Sequence, residues 1–413
     1  MNDNTKLELG LYLHIPFCVK KCDYCDFLSA PATIEEKKGY INALLTEIRS
    51  YQGRTADYIV PTIFFGGGTP SCLEAEEIGR VMMALNEVFC IDHTQLEATI
   101  EVNPGTITKS KLLEYKKAGI NRLSFGLQST QDTELKKLGR IHCYQDFLEN
   151  FILAREIGFH NINVDLMSAL PGQTVETWEN TLHTIAALSP EHISAYSLII
   201  EEGTGFYERY REGTPGAKEL PEEETDRLMY VRTKELLMQY GYERYEISNY
   251  AKKGRECRHN NSYWIGIEYL GLGVGACSLL RNTRYSNIQD INQYEALCNT
   301  YLDTRNQLNT AMKEDKDISA INRDPIGIHR EVSLLSKEQR MEEFMFLGLR
   351  RCEGISKRDF LQRFSIPIEE IYSECLTQLM DKKLISASED RISLTDYGID
   401  ISNYVLSFFL LNE

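Results

Sequence analysis

Three cysteines, Cys18, Cys22 and Cys25, stand in a C-x3-C-x2-C spacing directly after the short apolar run Leu11-Tyr12-Leu13-His14-Ile15. The run reads as a strand, which puts the cysteines on the loop that leaves it. Thiolates this close together on a loop can converge on one soft metal centre. A four-iron cluster offers four corners and is most often held by four cysteines, so three leave one iron open to an outside ligand. An open coordination position is what separates a reactive metal site from a closed structural one. The same residues could also be ordinary thiols or part of a zinc site. A zinc site needs a fourth ligand, and no second paired-cysteine motif supplies one.

The first half of the chain alternates β-like runs with amphipathic helical stretches. The runs are Leu11–Ile15, Ile59–Phe65, Leu96–Val102, Arg122–Phe125, Asn161–Leu166 and His192–Leu198. Between them lie segments with apolar residues at helical spacing, such as Tyr40, Leu44, Leu45 and Ile48. Six β/α units spaced like parallel crossovers fall short of the eight that close a full barrel. The expected fold class is therefore α/β, a partial (β/α)6 TIM-like barrel. Functional groups collect at the C-terminal ends of strands in such barrels. The cysteines, Gly66-Gly67-Gly68, Glu101, Gln128 and Asp165 all fall at or just beyond expected strand ends.

Each candidate has a plainer meaning beside the functional one. The glycine triplet lets a ligand approach the backbone closely, or it makes a tight turn. Glu101 could accept hydrogen bonds from an amine or from ribose hydroxyls, or be a solvated carboxylate at a strand end. Gln128 shares that plainer meaning. Asp165 sits inside the apolar run Ile162–Leu166, where an unpartnered charge is costly. Arg140 could pair with a carboxylate such as Asp165, or lie on the surface.

Beyond Leu198 the pattern changes, and the barrel is expected to end near residue 215. Residues 216–335 read as a connecting α+β region. It begins with a long helix, Pro221–Tyr240, whose first turn is acidic and suits a helix N-terminus. It then holds Cys257-Arg258-His259-Asn260-Asn261-Ser262-Tyr263-Trp264 before a Gly-rich turn, Gly271–Gly275. His259 could ligate iron through a neutral imidazole, and Tyr263 and Trp264 could offer an aromatic face to a flat macrocycle. A packed aromatic turn is the alternative. Residues Asn299–Ile328 are polar and poorly periodic and read as a loop or mobile insertion. Residues 336–413 read as three helices, a hairpin over Lys383–Leu394 and a last helix from Thr395 to Leu411, a C-terminal α+β winged-helix-like appendage.

A net charge of −16 argues against nucleic-acid binding, which needs a basic face. No apolar run reaches the roughly 18 residues of a membrane span. The stretch Met1–Leu9 shows no signal-peptide pattern, so a cytoplasmic protein is expected. In that compartment the eight scattered cysteines (Cys72, Cys90, Cys143, Cys257, Cys277, Cys298, Cys352 and Cys375) are expected to be buried thiols rather than disulfides.

The cysteine spacing, with Tyr24 before the third cysteine, resembles the radical S-adenosylmethionine (SAM) signature. Together with Tyr12–Cys18, Phe65–Ser71, Glu101-Val102-Asn103-Pro104, Gly126–Ser129, Asp165-Leu166 and Leu170-Pro171-Gly172, it is similar to the HemN/HemW group of radical SAM proteins. The resemblance spans nearly the whole chain. It implies a barrel of radical SAM type and a 4Fe–4S cluster on Cys18, Cys22 and Cys25. It implies SAM on Tyr12, Gly67, Gly68, Thr69, Glu101, Gln128, Arg140 and Asp165, with Tyr24 beside the cluster. It also implies a reductant such as flavodoxin or ferredoxin as the electron donor to the cluster.

Two activities lie within the group. The oxygen-independent coproporphyrinogen III oxidase decarboxylates two propionates of a porphyrinogen by radical chemistry. Its motif has a further cysteine where this chain has Phe27, and it carries a longer N-terminal arm. The heme chaperones of the group resemble this chain in both respects and share H-N-x-x-Y-W, here His259 to Trp264. They bind heme as cargo and deliver it to apo-hemoproteins of respiration. The chaperone is the expectation, with no catalytic residue assigned, as a monomer or dimer.

Overall fold

The computed structural model describes residues 6–308 and 321–411. Its centre is six parallel strands in sequence order, β1 (Leu7–Ile15), β2 (Tyr58–Gly67), β3 (Glu97–Val102), β4 (Arg122–Gln128), β5 (Ile162–Ser168) and β6 (His192–Ser197). A helix follows each of the first five strands, and this is the expected six-unit partial barrel. Local chemistry sets the helix ends. Thr33 and Glu36 form a reciprocal capping box before the helix Ile34–Ser50. Gly158 at φ +92° ends the helix Tyr144–Ile157.

The period-2 pattern of the strands divides their two faces. On β1, Leu9, Leu11, Leu13 and Ile15 are fully buried in the layer shared with the helices. Tyr12 and His14 take the other face. The same parity on β3, β4, β5 and β6 puts Glu97 and Glu101, Arg122 and Ser124, Asn163 and Asp165, and His192 on the inner side. The barrel interior is therefore a polar lining behind an apolar shell.

The sheet continues past both edges. On the β6 side lie β7 (Glu243–Arg244) and β8 (Asn249–Ala251), antiparallel. On the β1 side, β9 (Glu268–Leu272) pairs parallel to β1. β10 (Cys277–Leu280), β11 (Thr283–Asn287) and β12 (His329–Leu334) then extend it as antiparallel strands. A second hydrophobic core, built on Met345, Phe360, Ile368, Leu379 and Ile392, holds the C-terminal helices. These pack with the small sheet of β13 (Ile355–Ser356), β14 (Ile385–Ala387) and β15 (Arg391–Leu394), the winged-helix-like appendage.

Several expectations need correction. The stretch Asn299–Ile328 is not a loop throughout: a helix runs from Ile291 to Leu308, seated on buried Tyr294 and Cys298. Residues 309–320 lie outside the described residues. Gly271 and Leu272 belong to β9 rather than to a turn, and the segment Arg258–Trp264 is helical. The last helix is two short ones, Asp396–Asp400 and Ser402–Ser407, broken at Ile401 (φ −117°, ψ 37°). Of the eight scattered cysteines, Cys257 and Cys298 are buried, Cys72, Cys143, Cys352 and Cys375 are part-buried, and Cys90 and Cys277 are exposed. Among the described residues no helix is long and apolar enough to cross a membrane.

Candidate functional site

The cysteine loop is pinched shut at its base. The amide of Ala30 donates to the Pro16 carbonyl (3.0 Å), and the amide of Cys18 donates to the Ala30 carbonyl (3.1 Å). Distant segments hold its tip. The Asp23 carbonyl accepts from the Phe206 amide at 2.8 Å, and the Tyr24 ring packs on Phe206 with centroids 6.1 Å apart. The short helix Gly205–Tyr210, which lay outside any sequence expectation, is thus the cover of the loop. Cys18 is buried, while Cys22 and Cys25 are part-buried, and all three are free thiols. Burial pushes the Cys25 thiol up, and the sulfurs of Cys22 and Cys18 add to the shift.

Among the described residues, no three His, Cys, Asp or Glu side chains stand close enough to hold a single metal ion. One tetrahedral ion with metal–sulfur bonds of about 2.3 Å draws its sulfurs to within about 4 Å of each other. A four-iron cube takes its thiolates at separate corners, farther apart. Three free thiols beside a side-chain-free glycine edge are a donor set that fits such a cluster.

That edge is Gly66-Gly67-Gly68 at the end of β2. The Gly68 amide donates to the Ile15 carbonyl (2.8 Å) and the Thr69 amide to the Phe17 carbonyl (2.7 Å). Gly67 sits at φ +111°, and a Cβ there would lie 2.6 Å from the His14 ring. From the edge a hydrogen-bonded chain runs between two cysteines. Thr69 Oγ1 donates to the Cys18 sulfur (3.5 Å) and accepts from Asn103 Nδ2 (2.7 Å). Asn103 Oδ1 accepts from Arg140 (2.7 Å), and Arg140 also donates to the Gly126 carbonyl and to the Cys22 sulfur (3.4 Å). Asn103 stands in the motif Glu101-Val102-Asn103-Pro104, but sequence reasoning assigned it no role at the site. Arg140 does not meet Asp165 in a salt bridge.

Deeper in the barrel mouth, Glu101 accepts from the Gly67 amide at 3.2 Å. Burial pushes its carboxyl up to about 8, and the charge of Asp165 adds to this. Burial also raises Asp165, against hydrogen bonds from Asn163 (2.7 Å) and Ser124 (3.3 Å). Gln128, at φ +77° in a bulge of β4, accepts from the Tyr196 hydroxyl at 3.0 Å. His14 Nε2 donates to the Leu28 carbonyl (2.9 Å), which leaves Nδ1 to accept from the Tyr12 hydroxyl (3.1 Å). Burial lowers the His14 pKa, in keeping with this neutral form.

The Glu101 shift gives a pH dependence. The folded ligand-free protein keeps a proton up to about pH 8 that an ordinary glutamic acid, at 4.5, has already lost. The Glu101 contribution to stability is then fully present below about pH 4.5 and is lost as pH rises toward 8. Urea midpoints measured across that window are expected to decline less in Glu101→Gln than in the parent. Parallel declines would exclude this carboxyl as the source.

The helix Arg258–Trp264 is capped from β3. The amides of Arg258 and His259 donate to the Glu97 carboxylate (3.2 and 3.0 Å), at the helix end where a negative charge is favoured. His259 is buried. Its Nδ1 is bonded to Thr62 Oγ1 (2.9 Å) and its Nε2 to the Tyr263 hydroxyl (2.8 Å), with the ring stacked on Phe64. Burial, and next the Arg122 charge, push it down to about 3. Both ring nitrogens are committed, so the expected iron ligand turns no free nitrogen outward. Tyr263 and Trp264 line a cavity of about 1080 Å³ between the β9–β11 extension and the C-terminal helices. Tyr12, His14, Lys21, Asp26 and Phe27 reach the same cavity, so it adjoins the cysteine loop.

Comparison with known proteins fits this arrangement. Residues 12–185 match the Radical SAM superfamily, and residues 335–401 match the HemN C-terminal domain. The chain is 36% identical to the heme chaperone HemW of Bacillus subtilis over 399 residues, covering 97% of this chain and 98% of that protein. It is 34% identical to the heme chaperone HemW of Lactococcus lactis over 402 residues, covering 97% of each. Its backbone follows that of the Escherichia coli coproporphyrinogen III oxidase HemN, a radical SAM enzyme. The TM-score is 0.81 and the identity 23%, over 98% of this chain and 90% of that one.

Proposed function

Because the chain belongs to the HemW heme chaperone family of the radical SAM superfamily, we propose that it binds heme and passes it to apo-hemoproteins. The observation that carries this reading is the cavity of about 1080 Å³. It is large enough for a tetrapyrrole, has Tyr263 and Trp264 in its wall, and opens beside the cysteine loop.

In this reading Cys18, Cys22 and Cys25 hold the 4Fe–4S cluster. Gly67, Gly68 and Thr69 offer their bare edge to the amino group of SAM. Glu101, Gln128, Arg140 and Asp165 line the rest of its site with Tyr12, and Tyr24 closes the cluster side. When bound, cluster and SAM supply one-electron cleavage chemistry; the protein orients SAM and excludes water. Arg140 donates to the Cys22 sulfur, and with a cluster bound there this hydrogen bond would favour its reduced form. The recipients are respiratory apo-hemoproteins, through which this cytoplasmic protein meets the membrane. Flavodoxin or ferredoxin is the reductant, and the protein works as a monomer or dimer. The working division is a barrel over 1–215, a connecting region over 216–335 and a C-terminal unit over 336–413.

The test is anaerobic. Cluster-reconstituted protein is given reductant, SAM and coproporphyrinogen III in one arm, and heme with an apo-cytochrome in the other. The expected result is no protoporphyrinogen IX in the first arm and a heme-loaded acceptor in the second. Protoporphyrinogen IX as product would make the chain an oxidase despite Phe27.

A further inference from the structure

The cavity has two unlike walls. One is aromatic: Tyr263 and Trp264 on their helix and Tyr269 on β9, the two tyrosine rings edge-to-face at 4.7 Å. The indole Nε1 of Trp264 is buried with no hydrogen-bond partner. The other wall belongs to the C-terminal helices and carries Arg340 and Arg363. Neither has a carboxylate within ion-pair distance among the described residues. Arg340 donates to the Ser336 carbonyl and Asn282 Oδ1, and Arg363 donates to the Ile265 carbonyl. Of the lining acids, Glu343 is paired by Arg284 and Glu353 by Arg351 and Arg391, while Asp359 lies within electrostatic range of Arg363 without forming an ion pair. In a chain of net charge −16, two guanidiniums that form no salt bridge among the described residues and share one cavity are a site for carboxylates.

The cavity also offers a ligand for iron. Of its lining residues, His14 has both ring nitrogens bonded, to Tyr12 and to the Leu28 carbonyl. No methionine lines it, and Cys277 supplies its one sulfur among the described residues. Cys277 is an exposed thiol at the start of β10. Although the residue is exposed overall, partial enclosure of its sulfur raises the pKa, the Arg284 charge opposes that, and Tyr263 lies within electrostatic range of it. A thiolate is a recognised axial ligand of heme iron.

We propose that the cavity seats an iron porphyrin with the Cys277 sulfur on the iron and Arg340 and Arg363 on the propionates. The assignment rests on the heme chaperone reading. On binding, the Cys277 S–H bond breaks, its proton passes to solvent, and the sulfur lone pair forms the Fe–S bond. The iron does not change oxidation state.

The experiment uses the full chain with its cluster reconstituted anaerobically and left oxidised, a form silent in electron paramagnetic resonance. Ferric heme is titrated in, and the ferric resonance and the ferrous-carbonyl absorption are recorded. The parent is expected to show the signature of thiolate ligation. Cys277→Ala is expected to lose it and to bind heme at least about tenfold more weakly. Cys277→His is expected to restore binding with an imidazole-type spectrum. Arg340→Gln with Arg363→Gln is expected to weaken heme about tenfold while leaving heme dimethyl ester unaffected. An unchanged spectrum in Cys277→Ala would overturn the assignment, as would loss of the signature in Tyr263→Phe with Cys277 intact. A parent that binds no heme would instead overturn the chaperone reading, so the two failures are distinguishable.

Discussion

Cys22→Ala is expected to leave anaerobically reconstituted protein without the broad visible absorption of a four-iron cluster. The argument is geometric as well as chemical. Cys22 is part-buried and accepts a hydrogen bond from Arg140, which reaches Cys18 through Asn103 and Thr69. In the proposed reading, removing the sulfur removes a cluster ligand as well as the acceptor for the Arg140 guanidinium. Cys72→Ala is the control. Cys72 lies near the same loop, with its sulfur on the Phe17 carbonyl at 3.5 Å, yet outside the motif. Full loss of absorption in Cys22→Ala with retention in Cys72→Ala is the expected pair. Retention of a normal cluster in Cys22→Ala would move the ligand set elsewhere.

Gly68→Ala is expected to have the second largest effect. A Cβ on Gly68 would lie 2.6 Å from the Phe17 carbonyl oxygen and 2.9 Å from its carbon. That carbonyl accepts from the Thr69 amide and belongs to the residue before Cys18. These are backbone atoms, so no side-chain rotation relieves the overlap. Overpacking of this kind costs about 1–3 kcal/mol, and the shift falls on the segment carrying Cys18 and Thr69. A lowered urea midpoint together with loss of the spectral response of the cluster to SAM is the expected outcome. Gly79→Ala is the counterpart. Gly79 lies inside the helix Ala75–Val88, and an added Cβ meets nothing within 4 Å. It should gain up to about 1 kcal/mol from helix propensity. Equal midpoints for Gly68→Ala and the parent would mean that the glycine edge is not under steric constraint.

The six strands and their helices were legible because each helix buries a stripe at helical spacing and each strand alternates. Glu101 and Asp165 stand out in the sequence because they fall at expected strand ends; that they share the inner face of the barrel emerges from the strand register. What escaped did so for physical reasons. β9 contains Gly271 and leads into Gly273-Val274-Gly275, a composition that reads as a turn; it becomes a strand only by pairing with β1, far off in sequence. The helix Ile291–Leu308 carries a narrow stripe, Tyr294, Leu297, Cys298 and Tyr301, on an otherwise polar segment. Tyr294 reaches the buried Glu47 carboxylate at 2.5 Å, a partner no local pattern reveals. The exposure of Cys277 was equally hidden, since a cysteine between Ala276 and Ser278 looks like any buried thiol. The large cavity draws its lining from the cysteine loop, the β9–β11 extension and the C-terminal helices, and no single stretch of sequence announces it.

β1 serves both sides of this molecule at once. One edge is hydrogen-bonded to β2, whose end is the glycine edge; the other is bonded to β9, whose next neighbour begins at Cys277. Tyr12 lies level with Phe64 on one side and Gly271 on the other. Any coupling free energy between two sites that share a strand is symmetric. Whatever factor the nucleoside cofactor imposes on cargo affinity, the cargo imposes in return. In the proposed reading, β1 is thus the one strand through which the two ligand sites are physically joined.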